Sequence, residues 1–200
     1  MAKQSWKPGN MLYPVPAVMV SCKRKGERPN IITVAWAGTV CSDPVMLSIS
    51  VRKERYSHAI IAESGEFVVN LVTKELAYAL DYCGVRSGRN VDKFREMKLT
   101  EQQLDQVETP GIAESPVNIA CKVVEIKELG SHDLFLAQVV GVTIDDRYMD
   151  DTGRFHLNDA GLVAYSHGEY FELGKRLGKF GYSVQKKKNT GKNRKKRKNP

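Results

Sequence analysis

Apolar and polar side chains alternate with period two along residues 47–52. Leu47, Ile49 and Val51 fall on one face of an extended strand, and Ser48, Ser50 and Arg52 fall on the other. That pattern predicts a half-buried strand over 45–51 whose polar face suits a polar, anionic ligand. A second strand-like run, residues 30–36, sets Asn30, Thr33 and Trp36 among apolar residues.

The rest of the chain is read the same way. Residues 14–22 predict a first strand, 23–29 a polar turn, and 31–39 a second strand in a hairpin with the first. Ser57 is placed to cap a short helix over 58–63 that stops at Gly65. Residues 67–72 are rich in β-branched side chains and predict another strand. Leu76, Ala77 and Leu80 share a face of a helix over 74–83, with Gly84 just past its end. Residues 85–108 are polar and irregular, with one helical turn near 91–95. Two longer strands are expected over 117–127 and 134–144, with a turn at 128–133 between them and a short strand at 161–165. Several antiparallel strands, two short helices and little βα alternation predict a mainly β fold, a barrel or sandwich with helical decoration. The chain has no GxGxxG after a strand and no GxxxxGK[ST], which argues against a doubly wound dinucleotide fold and a P-loop.

Composition adds three points. At 42% apolar, 200 residues can bury a sizeable core, and no apolar run approaches membrane-spanning length. The N-terminal apolar segment is broken by Pro14 and Pro16, unlike a signal peptide, so a cytoplasmic protein is expected. Cys22, Cys41, Cys83 and Cys121 form no CxxC pair and lie at no metal-ligand spacing from a histidine, so reduced thiols and no metal site are expected. The net charge of +8 is a property of the tail. Residues 174–200 hold twelve Lys or Arg and no acid, whereas residues 1–173 carry 19 basic and 23 acidic side chains, a net of −4. The expected organisation is one domain over 1–182 and a basic, disordered tail over 183–200.

A phosphate is usually held by backbone amides at a helix N-terminus, a hydroxyl and nearby cations. Residues 52–57 supply Arg52, Arg55 and Ser57 just before a helix, and residues 86–93 supply a second basic cluster ending at Lys93. Together with the polar face of Ser48, Ser50 and Arg52, they point to an anion site.

The order of these features resembles a known family. Asn30, Thr33, Ala35 and Trp36 come first, then Ser42, Pro44 and Ile49 to Arg52. Tyr56, Ser57 and Ile60 follow, then Glu66, Phe67, Val69 and Asn70, then Ser87, Gly88, Asp92, Lys93 and Phe94, then His132 to Phe135, and finally Tyr165. The pattern is similar to the flavin reductase-like family of FMN-binding split-barrel proteins, and within it to the flavoredoxin branch. The resemblance spans most of residues 14–173 and leaves out the tail.

The resemblance implies a split β-barrel that binds FMN non-covalently, as a homodimer. It implies cofactor contacts from Asn30, Thr33, Ala35, Trp36, Ser48, Ser50, Val51, Arg52, Ser57, Lys93, His132 and Tyr165. Asn30 and Trp36 would lie along the flavin, and one extended strand would put them on the same face. Thr33 falls on the opposite face, so its contact would need a bulge or its backbone. Ser48, Ser50 and Arg52 would line the ribityl and phosphate side, with Ser57 at the phosphate. Lys93, His132 and Tyr165 would surround the ring system. Lys93 would be the cation stabilising the reduced ring, with His132 second to it. No side chain need act as a nucleophile. The implied activity is an FMN-dependent oxidoreductase or electron carrier, fed by NAD(P)H or a reduced redox protein and delivering to flavin, iron or a protein acceptor. Two other readings stand beside it: a flavin-binding module without turnover, and a nucleic-acid-binding protein whose basic tail makes weak, non-specific contact with nucleic acid.

Overall fold

The computed structural model describes residues 1–185. Expectations for the tail beyond Gln185, its disorder and its nucleic-acid contact, lie outside the described residues. The strands are β1 (Val15–Pro16), β2 (Val18–Cys22), β3 (Asn30–Val34), β4 (Ala37–Ser42), β5 (Val45–Arg52), β6 (Glu66–Leu71), β7 (Glu101–Leu104), β8 (Val107–Ile112), β9 (Val117–Leu129), β10 (His132–Ile144), β11 (Val163–Ser166) and β12 (Glu169–Glu172). The helices are α1 (Tyr56–Ser64), α2 (Ala77–Val85) and α3 (Lys93–Glu96), and no described helix is long and apolar enough to cross a membrane.

Seven strands form one antiparallel sheet in the order β3-β2-β6-β9-β10-β5-β4. Its inward face supplies a single buried cluster that includes Val20, Ile32, Ile49, Phe67 and Phe135, with Ile60 and Ile61 of α1 inserted into it. Ile32 sits on an edge strand and Ile49 near the opposite edge, so sharing one core requires the sheet to curl on itself. The curl stops short of closure. β3 and β5 meet through the bend between β3 and β4, where the Ser50 amide donates to the Trp36 carbonyl at 2.8 Å.

A second core lies outside the barrel, where Met19 of β2 and Ile31 of β3 are covered by Leu80 and Cys83 of α2 and Phe94 of α3. Strands β2 and β3 are therefore apolar on both faces, which explains why neither shows a clean alternation. A buried polar knot ties the β7–β8 hairpin to the sheet. Asn70 donates to the Met19 carbonyl at 3.0 Å and accepts from the Ile112 amide at 2.9 Å and from Asn118 at 2.8 Å.

The structure differs from the sequence expectation at defined places. The single strand expected over 31–39 ends at Val34 and resumes at Ala37, with a bend at Ala35 and Trp36. The shared face of Asn30 and Trp36 is lost with it. Helix α1 starts at Tyr56, so Ser57 lies in its first turn; Arg55 is the N-cap and makes no side-chain cap. Gly65 does end the helix, in the left-handed conformation with φ 70°. Gly84 lies inside α2, because the helix packs so closely on β3 that a Cβ there would come 3.2 Å from Thr33 Cβ. Residues 101–112 form a hairpin hidden in the sequence by Gln102, Gln103, Pro110 and Gly111. The β9–β10 turn is only Gly130 and Ser131, which places His132 and Asp133 inside β10, opposite Arg52 and Val51 of β5.

Candidate functional site

The alternation read in β5 holds in the structure. Leu47, Ile49 and Val51 are buried in the barrel, while Ser48 and Ser50 are half-buried and Arg52 is exposed on the outer face. Two cavities adjoin beside β3, one facing β5 and the other facing residues 54–57 and the end of α2, and they share Ile32 and Arg55 as lining.

The first cavity, about 230 Å³, is lined by Asn30, Ser57, Lys93, Arg55 and Arg86, with Gly88 in the loop above. Asn30 and Ser57 are buried, and Asn30 Nδ2 donates to Ser57 Oγ at 2.8 Å. Ser57 thus uses its lone pair on Asn30 and keeps its proton for a further acceptor. A Cβ on Gly88 would sit 1.9 Å from Asn30 Oδ1, so only glycine lets this loop lie on the amide.

Lys93 is the buried cation of this cavity, 3% exposed. Its Nζ donates to the Ile31 carbonyl at 2.6 Å and to the Cys83 carbonyl at 2.7 Å. Two of three ammonium protons are committed, and the third remains for a ligand. Burial pulls its pKa down to about 8, a shift that Arg55 reinforces and the Cys83 and Cys22 thiols oppose. Burial pushes those thiols up, Cys83 to about 11 and Cys22 to about 12, so both stay protonated at neutral pH. The carbonyl end of α2 holds the cations in place. Lys93 binds Cys83, Arg55 Nη1 donates to the Gly84 carbonyl at 3.3 Å, and Thr33 Oγ1 donates to the Leu80 carbonyl. Glu54, the acid in the lining, is engaged by Arg52 at 3.5 Å. The cavity is cationic, hydroxyl-lined and of phosphate size.

The second cavity, about 170 Å³, is lined by Thr33, Ala35, Trp36, Ser50, Arg52, His132 and Tyr165. Val51 also borders it, but its side chain belongs to the interior core, which leaves its backbone for a ligand. β1 pairs with β11, Val15 opposite Tyr165, and so fixes Tyr165 at the rim. Tyr13 bridges the two sides, 5.9 Å from Tyr165 and 6.3 Å from Trp36 between ring centroids. Burial, with the Arg52 charge beside it, lowers the His132 pKa, so the imidazole is neutral at pH 7. Aromatic walls and backbone along a groove that ends at cations suit a planar ring carrying a phosphate tail.

Eleven of the twelve expected site residues line this pair of cavities. Their grouping differs from the expectation. Lys93 stands with Asn30 and Ser57 rather than with His132 and Tyr165, and Ser50 and Arg52 stand with Trp36. Ser48 lies apart, in a neighbouring chamber walled by Gly9 to Leu12 of the N-terminal segment. Arg55, Arg86 and Gly88 belong to the lining. The basic clusters at 52–57 and 86–93 pointed to this anion site, though none of the three was among the twelve expected cofactor contacts.

The family profile described as "Flavin reductase like domain" matches residues 10–174. The chain belongs to this family. Flavoredoxin of Desulfovibrio vulgaris (Miyazaki F) superposes with a TM-score of 0.85 at 30% identity, covering 92% of this chain and 100% of that one. The expected flavin reductase split barrel is thus the fold. An uncharacterized protein of Archaeoglobus fulgidus is 33% identical over 145 residues, 72% of this chain and 81% of its own length. A ferric-chelate reductase (NAD(P)H) of the same organism is 26% identical over 133 residues, 66% of this chain and 78% of its own. Membership supports a flavin as the cofactor and an oxidoreductase as the class.

Proposed function

We propose that the protein is an FMN-dependent oxidoreductase of the flavoredoxin type. It takes electrons from NAD(P)H or a reduced redox protein and passes them to a flavin, iron or protein acceptor. The observation that carries FMN is the cationic end of the groove: buried Ser57 and Lys93 with Arg55 and Arg86 around one phosphate-sized space. FMN supplies the redox chemistry, and the protein supplies position and charge. Ser57, Lys93, Arg55 and Arg86 hold the phosphate. Trp36 and Tyr165 flank the ring, and Ser50, Arg52 and neutral His132 offer polar contacts beside it. Iron as an acceptor and NAD(P)H as a donor are suggested by the name of the ferric-chelate reductase. The working unit is a homodimer in the cytoplasm, where the buried free thiols Cys22, Cys83 and Cys121 stay reduced.

The test is spectroscopic. The purified protein, as isolated or reconstituted with FMN, should show flavin absorbance that bleaches anaerobically with NADH, NADPH or a reduced redox protein. A protein that takes up no FMN refutes the reading. Bound FMN that no donor bleaches would favour a flavin-binding module without turnover.

A further inference from the structure

The groove accounts for His132 but not for its neighbour. Asp133 is 5% exposed and points to the barrel interior, on the same face of β10 as Phe135 and Ala137. Two side chains, His58 and the Lys53 ammonium, reach its carboxylate from one short stretch of chain. His58 Nε2 lies 2.8 Å from Oδ2, with its ring edge-on to Phe135 at 5.2 Å. Lys53 Nζ lies 3.4 Å from Oδ1, an oxygen that makes no hydrogen bond, and also donates to Glu128 at 2.8 Å. Burial pushes the Asp133 carboxyl up, but His58 and Lys53 outweigh it and hold it below the usual range, so it is ionised at neutral pH.

Lys53 and His58 bracket four residues, Glu54, Arg55, Tyr56 and Ser57, and all four line the cationic cavity. Within the stretch, Asn30 holds Ser57, the Gly84 carbonyl holds Arg55 and Arg52 engages Glu54, while its two ends meet at Asp133 and α1 begins without a side-chain cap. A buried carboxylate is expensive unless its partners are in place. Here its partners are the two ends of the wall that would face a phosphate. The backbone of Asp133 is also in register with Val51 of β5, which borders the ring cavity.

We propose that Asp133 is a positioning residue for phosphate recognition: through Lys53 and His58 it gathers both ends of the 54–57 wall and sets Ser57 and Arg55 at the anion. The proposal rests on the flavin-phosphate reading above. Asp133 touches no ligand, and its effect passes through Lys53 and His58.

The experiment compares dissociation constants for FMN and for riboflavin, which lacks the phosphate, by flavin fluorescence in wild type, Asp133→Asn and Lys53→Met. Asp133→Asn should weaken FMN about tenfold and leave riboflavin within about twofold, so that the preference for FMN shrinks by about tenfold. Lys53→Met, a half-exposed partner, should shift the preference the same way by about threefold, and it decides the matter if Asp133→Asn does not fold. Equal loss of FMN and riboflavin would mark a merely structural role and overturn the proposal. An unchanged preference in folded variants would overturn it as well. A wild type that binds both flavins equally would overturn the phosphate reading itself, a result distinguishable from the other two.

Discussion

Replacing Lys93 with methionine tests whether the buried ammonium is the phosphate counter-charge. With its pKa near 8 instead of 10.5, Lys93 costs the ligand-free fold about 3 kcal/mol when charged at pH 7. Between those two values the unfolded chain binds more protons than the folded one, so ligand-free stability should rise with pH over that window. Ligand binding should run the other way. A phosphate dianion beside Nζ favours the charged form, so FMN affinity is fully present below pH 8 and falls above it. Only about one tenth of the free sites are charged at pH 9, which makes the expected loss about tenfold between pH 7 and pH 9. The thiols at about 11 and 12 do not titrate in this range. The assay is a fluorescence titration with FMN at pH 7, 8 and 9 at constant ionic strength, with riboflavin as the control. Lys93→Met should bind FMN more weakly at pH 7 and lose the slope. Equal wild-type affinity at pH 7 and 9, or a slope that survives in Lys93→Met, would refute the assignment.

Gly88→Ala forces its Cβ against Asn30 Oδ1 and should weaken FMN by about 1–3 kcal/mol, read as flavin lost during gel filtration. Asn70→Ala strands Ile112 and Asn118 in the buried knot and should cost about 2–4 kcal/mol in chemical denaturation, with flavin content per folded molecule unchanged. His132→Gln removes an imidazole that is already neutral at pH 7, so the midpoint potential of bound flavin should keep its pH slope between 6.5 and 8 in spectroelectrochemical titration.

How legible these features were depended on where each side chain's partner sits. The faces of β5 were readable because period-two alternation is local, and burial follows it residue by residue. The end of α1 at Gly65 was readable for the same reason. The bend at Ala35 and Trp36 was not, because its cause is distant: the chain must leave one edge of a curled sheet and join the other. Gly84 looked like a helix terminator, yet its neighbour is Thr33, 51 residues earlier. Lys93 was expected as a ring-side cation, and its two carbonyl acceptors, on β3 and α2, hold it instead beside Asn30 and Ser57. The order of polar residues along the chain located the groove. Which end each residue serves was set by long-range packing.

The unfinished seam of the barrel has its own consequence. The groove occupies the interval between β3 and β5 that the sheet leaves open, crossed by the Ser50–Trp36 hydrogen bond. A ligand seated there stands in for the missing strand contacts, so occupancy and barrel closure become one event. Amide exchange should therefore slow on both banks of the seam, at residues 32–36 and 50–52, while the β6–β9 ladder on the far side barely responds.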